Sequence, residues 1–277
     1  MKIRAAISPC PNDVFIFSGL LSGATHRPGD PEFAFAFHDL ETLNRDVQAG
    51  RWDMAKISYA NFPFCAGNYR LLRCGGALGR GCGPLLLSNR DGWDPGAEVL
   101  VPGKFTTANF LLDFYRHGQA GSSPLRKVFL PFDELYRRLL GAEPCQGVVI
   151  HEMRFTYASD GLHLVRDLGE YWEGATGFPI PLGAVALNRS LDGGNTELPQ
   201  IVESLIRRSL DWAYAHPEPA LDLCRRYSQS LSEAVLQSHI DLYVNAFSRD
   251  IGADGEAAVA FFLDRLRLFQ ADKQAGG

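Results

Sequence analysis

Apolar and polar positions alternate along the chain with two different periods, and the order in which those periods succeed one another predicts an α/β protein. Lys2 to Ser8 reads as a strand, and Pro9-Cys10-Pro11-Asn12-Asp13 as a turn whose Asn12 and Asp13 cap a helix beginning near Val14. From Phe33 to His38 phenylalanine alternates with alanine, the mark of a strand, and a helix follows from about Leu40 to Gln48, ended by Gly50. Met54 to Tyr59 is the next strand. Strand, helix and strand joined by short turns predict a parallel sheet, whose ligands collect beyond the carboxyl ends of the strands. Ser8, Asp39 and Ser58 fall at such ends.

Residues 71 to 102 are rich in glycine and strand formers, and the crossing to a second α/β unit is expected there. That unit holds a short strand at Val99 to Pro102, a helix capped by Thr106 or Thr107 with its stripe at Phe110, Leu111, Phe114 and Tyr115, and a strand at Val128 to Leu130. A helix from Asp133 to Leu140 and strands at Gly147 to His151 and His163 to Leu168 complete it, and the chain returns at Pro181 to Asn188. Beyond that the pattern is helical, with stripes at Val202, Leu205, Ile206, Ser209 and Ala213, at Val235, Leu236, His239, Leu242 and Tyr243, and at Val259, Phe262, Leu263 and Leu266. Such helices need a sheet to cover, and the first unit is the natural one. The expected architecture is a discontinuous first lobe, residues 1–95 and 185–277, with a second lobe, residues 96–184, inserted in it and a ligand cleft between the two.

The 277 residues, 46% of them hydrophobic, suffice for substantial cores without covalent staples. A net charge of -5 with scattered basic residues argues against a nucleic-acid surface and leaves a small molecule as the expected partner. The amino-terminal segment has no apolar run of signal-peptide or membrane-helix length, so a cytoplasmic location is expected. In that reducing compartment the six cysteines, none in a CxxC, read as free thiols. The seven histidines show no HxxxH or HExxH, so neither a metal nor another cofactor is indicated.

His151 ends the apolar strand Gly147-Val148-Val149-Ile150, which places its imidazole at the edge facing the cleft; a histidine bonded within a turn is the plain alternative. A helix start at Thr106 and Thr107 offers free backbone N–H groups and a positive dipole end suited to an anion, although threonine there also serves simply as a cap. Alternation puts Lys56 and Ser58 on one face, toward the cleft, while the Ile57 side chain enters the core. The run Gly75 to Gly83 is not a dinucleotide fingerprint, because Pro84 stands where the third glycine belongs; it reads as a strand and bend allowing close backbone approach. Neither Ser8 nor Ser58 lies in a GxSxG context, so a serine nucleophile has little support.

Several segments together resemble one family: Ser8-Pro9-Cys10-Pro11-Asn12-Asp13 with Phe15-Ile16-Phe17, Glu41-Thr42-Leu43-Asn44, Lys56-Ile57-Ser58-Tyr59, Gly75 to Gly83, Thr106-Thr107, His151-Glu152 with Arg154-Phe155-Thr156-Tyr157, Pro179-Ile180-Pro181-Leu182-Gly183 and Tyr243-Val244-Asn245-Ala246-Phe247. In this order they resemble the 1,4-dihydroxy-6-naphthoate synthases of the futalosine pathway of menaquinone biosynthesis. The resemblance implies a two-lobed fold like the type II periplasmic binding proteins. It also implies a lyase that converts cyclic dehypoxanthinylfutalosine to 1,4-dihydroxy-6-naphthoate and a three-carbon sugar fragment. His151 then takes the role of proton acceptor, for which an ordinary pKa of about 6.5 is well placed. The substrate carboxylate would lie at Thr107 and Ala108 with Thr106 beside them, and the segment Lys56, Ile57 and Ser58, together with Asn44, would meet the rest of the ligand. The chain departs from the family at Val14, Phe105 and Met153, where polar residues are usual. A solute-binding protein of the same fold and a chorismate dehydratase of the same pathway are the alternatives. The missing export signal and the cleft histidine weigh against the first, and the His151-Glu152 motif with the SPCPND opening against the second.

Overall fold

The computed structural model describes residues 1–119, 124–192, 197–228 and 231–275. In chain order the first elements are β1 (Lys2–Ile7), α1 (Pro11–Leu21), β2 (Glu32–Phe37), α2 (Leu40–Gln48), β3 (Met54–Ser58), β4 (Tyr69–Leu71), β5 (Ala77–Gly79), β6 (Leu85–Ser88), β7 (Glu98–Val101), α3 (Thr107–His117) and β8 (Arg126–Phe129). There follow α4 (Phe132–Leu139), β9 (Gln146–Val149), α5 (Met153–Thr156), β10 (His163–Asp167), α6 (Leu168–Thr176), β11 (Ile180–Asn188), α7 (Leu198–Ala215), α8 (Pro217–Tyr227), α9 (Glu233–Tyr243), α10 (Ala246–Arg249) and α11 (Gly252–Ala275). They build two sheets. The first has the order β2-β1-β3-β11-β4, with β5 also on β11, and the second the order β10-β6-β9-β7-β8.

In the first sheet β1 runs parallel to both β2 and β3, as the strand-helix-strand spacing predicts, and the long β11 closes it antiparallel to β3. Side-chain alternation divides these strands cleanly between two cores. Ile3, Ala5, Ile7, Met54, Val185 and Leu187 pack beneath α1, α7, α8 and α9, whereas Ala6, Ala55, Ile57, Ala184 and Ala186 face the other way, toward α2 and the second lobe. Because β3 is covered on both faces, all five of its residues are buried, Lys56 among them.

Three features differ from the sequence reading. The chain crosses between β5 and β6 and is back by the start of β11, so Leu85–Ser88 pairs in the second sheet although it precedes residue 95, and β11 from Ile180 pairs in the first although the second lobe is expected to run to residue 184. Two helices stand where the sequence reading names no stripe: α6, which holds Gly169 and Gly174, and α8, which begins on Pro217 and buries Ala220 and Cys224. The last helix does not cover the first sheet alone, for Phe262 of α11 meets the ring of Phe110 from α3 at 4.8 Å and that of Trp172 from α6 at 5.5 Å. This carboxyl-terminal helix therefore ties the two lobes together through an aromatic cluster.

Gly83, just before the first strand of the second sheet, lies against the start of α6 so closely that a Cβ there would stand 2.3 Å from the Gly169 Cα. Backbone on both sides leaves nothing that can rotate away. Gly83→Ala is expected to cost about 1–3 kcal/mol or more through forced separation of the two segments. Urea unfolding should show the lower midpoint, and an unchanged midpoint would mean the segments move apart freely.

Candidate active site

The cleft narrows to an inner cavity of about 80 Å³ lined by Ser8, Asn12, Asp13, Lys56, Ser58, Thr106, Thr107, Ala108, His151, His239 and Tyr243, with Leu40, Ala77, Cys82, Pro84, Ile150, Leu182 and Gly183 completing the wall. A mouth of about 230 Å³ adjoins it, lined by Cys10, Asp39, Glu41, Phe132, Glu152 and Met153 among others, and shares Ser8, Leu40, Thr106, Ile150 and His151 with the cavity. His151 thus stands at the throat between the two.

Its position follows from the way β9 ends. His151 has a φ of 59°, the only positive value among the described non-glycine residues, and turns the chain from the strand into the short helix α5. A side chain held in this costly conformation is a mark of a functional position. The Sγ of Cys10 lies 3.3 Å from His151 Nδ1 and 3.7 Å from Nε2, and Phe132 meets the ring edge-on at 5.4 Å. Burial lowers the His151 pKa below its usual value, against a partial upward pull from Glu152 and Asp13. The same burial, with Glu152 and Asp13 adding to it, raises the Cys10 thiol well above its usual value. The pair is therefore a neutral thiol beside a neutral imidazole, which removes a thiolate nucleophile and leaves the histidine free to accept a proton.

Behind the cavity lies a buried ion pair. Lys56 Nζ is 2.8 Å from Asp13 Oδ1, both side chains being no more than 4% exposed, and donates to the Gly75 carbonyl at 2.7 Å. Gly75 has a φ of +77°, and a Cβ there would come within 2.9 Å of Val185, so this acceptor position suits glycine alone. Asp13 also accepts from the Ser8 hydroxyl at 2.7 Å and from the Asn12 amide at 2.9 Å, and Asn12 in turn bonds His239 Nε2 at 3.0 Å. Asn12 and Asp13 are accordingly not the caps of α1. The helix begins at Pro11 with Cys10 at its N-cap, and the two side chains turn inward at the carboxyl end of β1.

The other expected site residues separate into two groups. Lys56, Ser58, Thr106, Thr107, Ala108 and His151 all line the cavity. Asn44 and Ile57 do not: Ile57 is fully buried in the core on the opposite face of β3, and Asn44, also fully buried, spends its amide on its neighbours. It accepts from the Ser58 backbone at 2.9 Å and donates to the Ser58 hydroxyl at 3.1 Å and to the Phe105 carbonyl at 3.3 Å. Asn44 thus supports Ser58 from behind and joins the lobes.

Thr106 caps α3, accepting from Asn109 N at 3.2 Å. The Thr107 hydroxyl donates to the Leu182 carbonyl of β11 at 2.9 Å, a bond between the lobes, so its proton is already committed. The backbone N–H groups of Thr107 and Ala108, at the first two positions of α3, have no intrahelical acceptor. Free N–H groups at a helix start are of the kind that suits an anion. Of the three departures from the family pattern, Val14 lies in the apolar core, Phe105 packs edge-on against Phe64, and only Met153 reaches the mouth. Among the described residues no three histidine, cysteine or acidic side chains gather as a metal site.

Sequence reasoning placed Ser8 at a ligand-collecting strand end but missed Asn12, Asp13, His239 and Tyr243 as cavity residues. The one available signal was the histidine on the otherwise apolar stripe of α9.

A menaquinone biosynthesis family profile matches residues 3–267. The chain is 43% identical to a 1,4-dihydroxy-6-naphthoate synthase of Thermus thermophilus, covering 99% of this chain and 95% of that one. It is 39% identical to the enzyme of the same name from Streptomyces coelicolor, covering 95% and 92%. Among solved structures, a protein of Archaeoglobus fulgidus aligns with a TM-score of 0.88 at 28% identity over 99% of this chain and 98% of that one. The alkanesulfonate-binding protein of Xanthomonas axonopodis aligns at 0.67 with 15% identity over 96% and 93%, which shows a periplasmic-binding-protein-like fold.

The ion pair yields a test. Asp13→Asn leaves the Lys56 ammonium buried without a counter-charge and is expected to cost about 3–5 kcal/mol in urea unfolding. Adding Lys56→Met should recover much of that loss. A double variant no more stable than the single would show that the two charges are not coupled.

Proposed function

The chain belongs to the menaquinone biosynthesis family, and on that premise we propose that its cleft binds cyclic dehypoxanthinylfutalosine and that His151 starts the breakdown to 1,4-dihydroxy-6-naphthoate. The observation that carries the activity is the near full-length match, at 43% and 39% identity, to two synthases of that name. Solute binding draws support only from neighbours that are 11–16% identical, which share the fold and nothing more. Neither curated relative carries the name of a dehydratase.

The chemistry needs a base beside a sugar hydroxyl. In this reading His151 Nδ1 carries the proton and donates to the Cys10 Sγ, which leaves the Nε2 lone pair to take the hydroxyl proton. The oxygen then forms a carbonyl, the adjacent carbon–carbon bond breaks, and its electrons enter the ring system that becomes aromatic; the three-carbon fragment departs. A neutral imidazole suits the first step, and burial keeps His151 neutral. The substrate carboxylate lies against the free N–H groups of Thr107 and Ala108, where the helix dipole of α3 favours negative charge. The lobe-to-lobe bonds of Thr107 to Leu182 and Asn44 to Phe105 close the cavity and exclude water. We place the enzyme in the cytoplasm, which fits its six unpaired cysteines; no described helix is long and apolar enough to cross a membrane.

His151→Ala is expected to lower kcat about 100- to 10,000-fold while the protein still binds the naphthoate product. Activity near the wild-type level would remove His151 from the mechanism. Because burial lowers its pKa, the histidine stays unprotonated at and somewhat below the usual histidine value. The rate should therefore hold flat on acidification past pH ~6.5 and fall only below it, provided chemistry limits the rate. A fall centred above that value would contradict the assignment.

The anion site can be tested separately with Thr107→Val and Thr107→Pro. Both delete the hydroxyl, but only proline removes the backbone N–H, and it does so at a helix position that tolerates it, after a residue already extended at ψ 151°. Thr107→Pro is expected to bind the product about 10- to 100-fold more weakly than Thr107→Val, the worth of a hydrogen bond to a charged group. Equal affinities by titration calorimetry would place the carboxylate elsewhere.

A further inference from the structure

A second imidazole lies in the cavity wall. His239, on α9, is 1% exposed, and its Nδ1 has no hydrogen-bond partner among the described residues. A buried polar atom left unpaired is costly, so its retention calls for an explanation.

The neighbouring hydrogen bonds settle which nitrogen carries the proton. Asp13 is an acceptor only, and the Asn12 amide nitrogen donates to it at 2.9 Å. That fixes the orientation of Asn12 and turns its carbonyl oxygen toward His239 Nε2, 3.0 Å away. Nε2 must therefore be the protonated nitrogen, and Nδ1 is a bare lone pair. Burial, with a smaller contribution from His151, depresses the His239 pKa to about 3, so the ring stays neutral and cannot become a second donor. Lys56, Asp13 and Asn12 thus form a chain of polar contacts that ends in a fixed acceptor on a residue of the cavity wall.

We propose that His239 Nδ1 accepts a hydrogen bond from a hydroxyl on the sugar portion of the substrate and so positions that portion for His151. This rests on the cleft binding the substrate as described above. A carboxylate can only accept, so it cannot satisfy this atom, whereas a sugar hydroxyl can donate to it. His239 and His151 then divide the work: one holds the sugar by a hydroxyl it never deprotonates, while the other, at the throat, removes a proton. With its pKa so low, His239 is a poor base, which makes it a positioning residue and not the proton acceptor.

The test compares His239→Phe with the wild type in turnover of cyclic dehypoxanthinylfutalosine and in binding of 1,4-dihydroxy-6-naphthoate, which lacks the sugar portion. The expected result is a fall in kcat/KM of about 10- to 100-fold with product affinity changed by less than about twofold. His239→Gln, which supplies a donor for Asn12 and an acceptor beside it, should regain part of the loss. Unchanged turnover, or an equal loss for substrate and product, would overturn the proposal and leave His239 a wall residue. Were wild-type turnover of this substrate itself absent, the reading of the cleft would fail first, and the proposal with it. If His239→Phe does not fold, nitrogen-15 spectra of the wild-type histidines decide: the proposal requires Nδ1 of His239 to stay unprotonated from about pH 5 to 8, and a proton there would overturn it.

Discussion

The ion pair between Lys56 and Asp13 is the constraint around which the rest of the cleft is arranged. Two full charges are held almost entirely out of water, which is tolerable only if they meet each other and if the remaining lone pairs and protons find partners. Three residues partner the pair directly, and a fourth is reached through one of them. Ser8 ends β1, Asn12 lies in the first turn of α1, Gly75 precedes β5, and His239 is reached through Asn12 from α9. Satisfying one pair of charges therefore fixes the ends of β1 and β3, the start of α1 and one face of α9 together, and with them the inner wall of the cavity.

The opposite wall belongs to the second lobe and is joined to the first by a few polar bonds. Asn44 reaches the Phe105 carbonyl, Thr107 reaches Leu182, the Phe105 N–H donates to Glu41 at 3.1 Å, and Cys10 touches His151. Each joins a group on one side of the cleft to a group on the other, so the site is complete only where the two lobes meet. The aromatic contacts of α11 with α3 and α6 involve none of the cavity residues and supply a separate apolar junction.

Much of this was legible in the sequence where local pattern and tertiary role coincide. Phe33 to His38 alternates because β2 is a half-buried edge strand, and Thr106 reads as a cap because it is one. The failures share a cause, since each concerns a residue whose role is set by a distant partner. Asn12 and Asp13 have the composition of caps, yet Lys56, more than forty positions along the chain, draws Asp13 inward. Asn44 belongs to a motif shared with the family, but its amide serves Ser58 and Phe105 instead of facing the cavity. His239 sits on an apolar stripe, and nothing local shows that the stripe reaches the cavity. The third helical stripe likewise could not reveal that its aromatic partners lie in the other lobe.

At the centre of the account stands one ligand held from both lobes, its carboxylate at the start of α3 and its reacting end facing His151. The most direct measurement is a crystal structure of the protein with bound 1,4-dihydroxy-6-naphthoate. The account predicts the carboxylate within hydrogen-bond distance of the Thr107 and Ala108 backbone nitrogens, with the opposite end of the ring system turned to His151. A naphthoate bound in the cleft with its carboxylate at the Lys56 and Asp13 wall, or bound outside the cavity altogether, would contradict it.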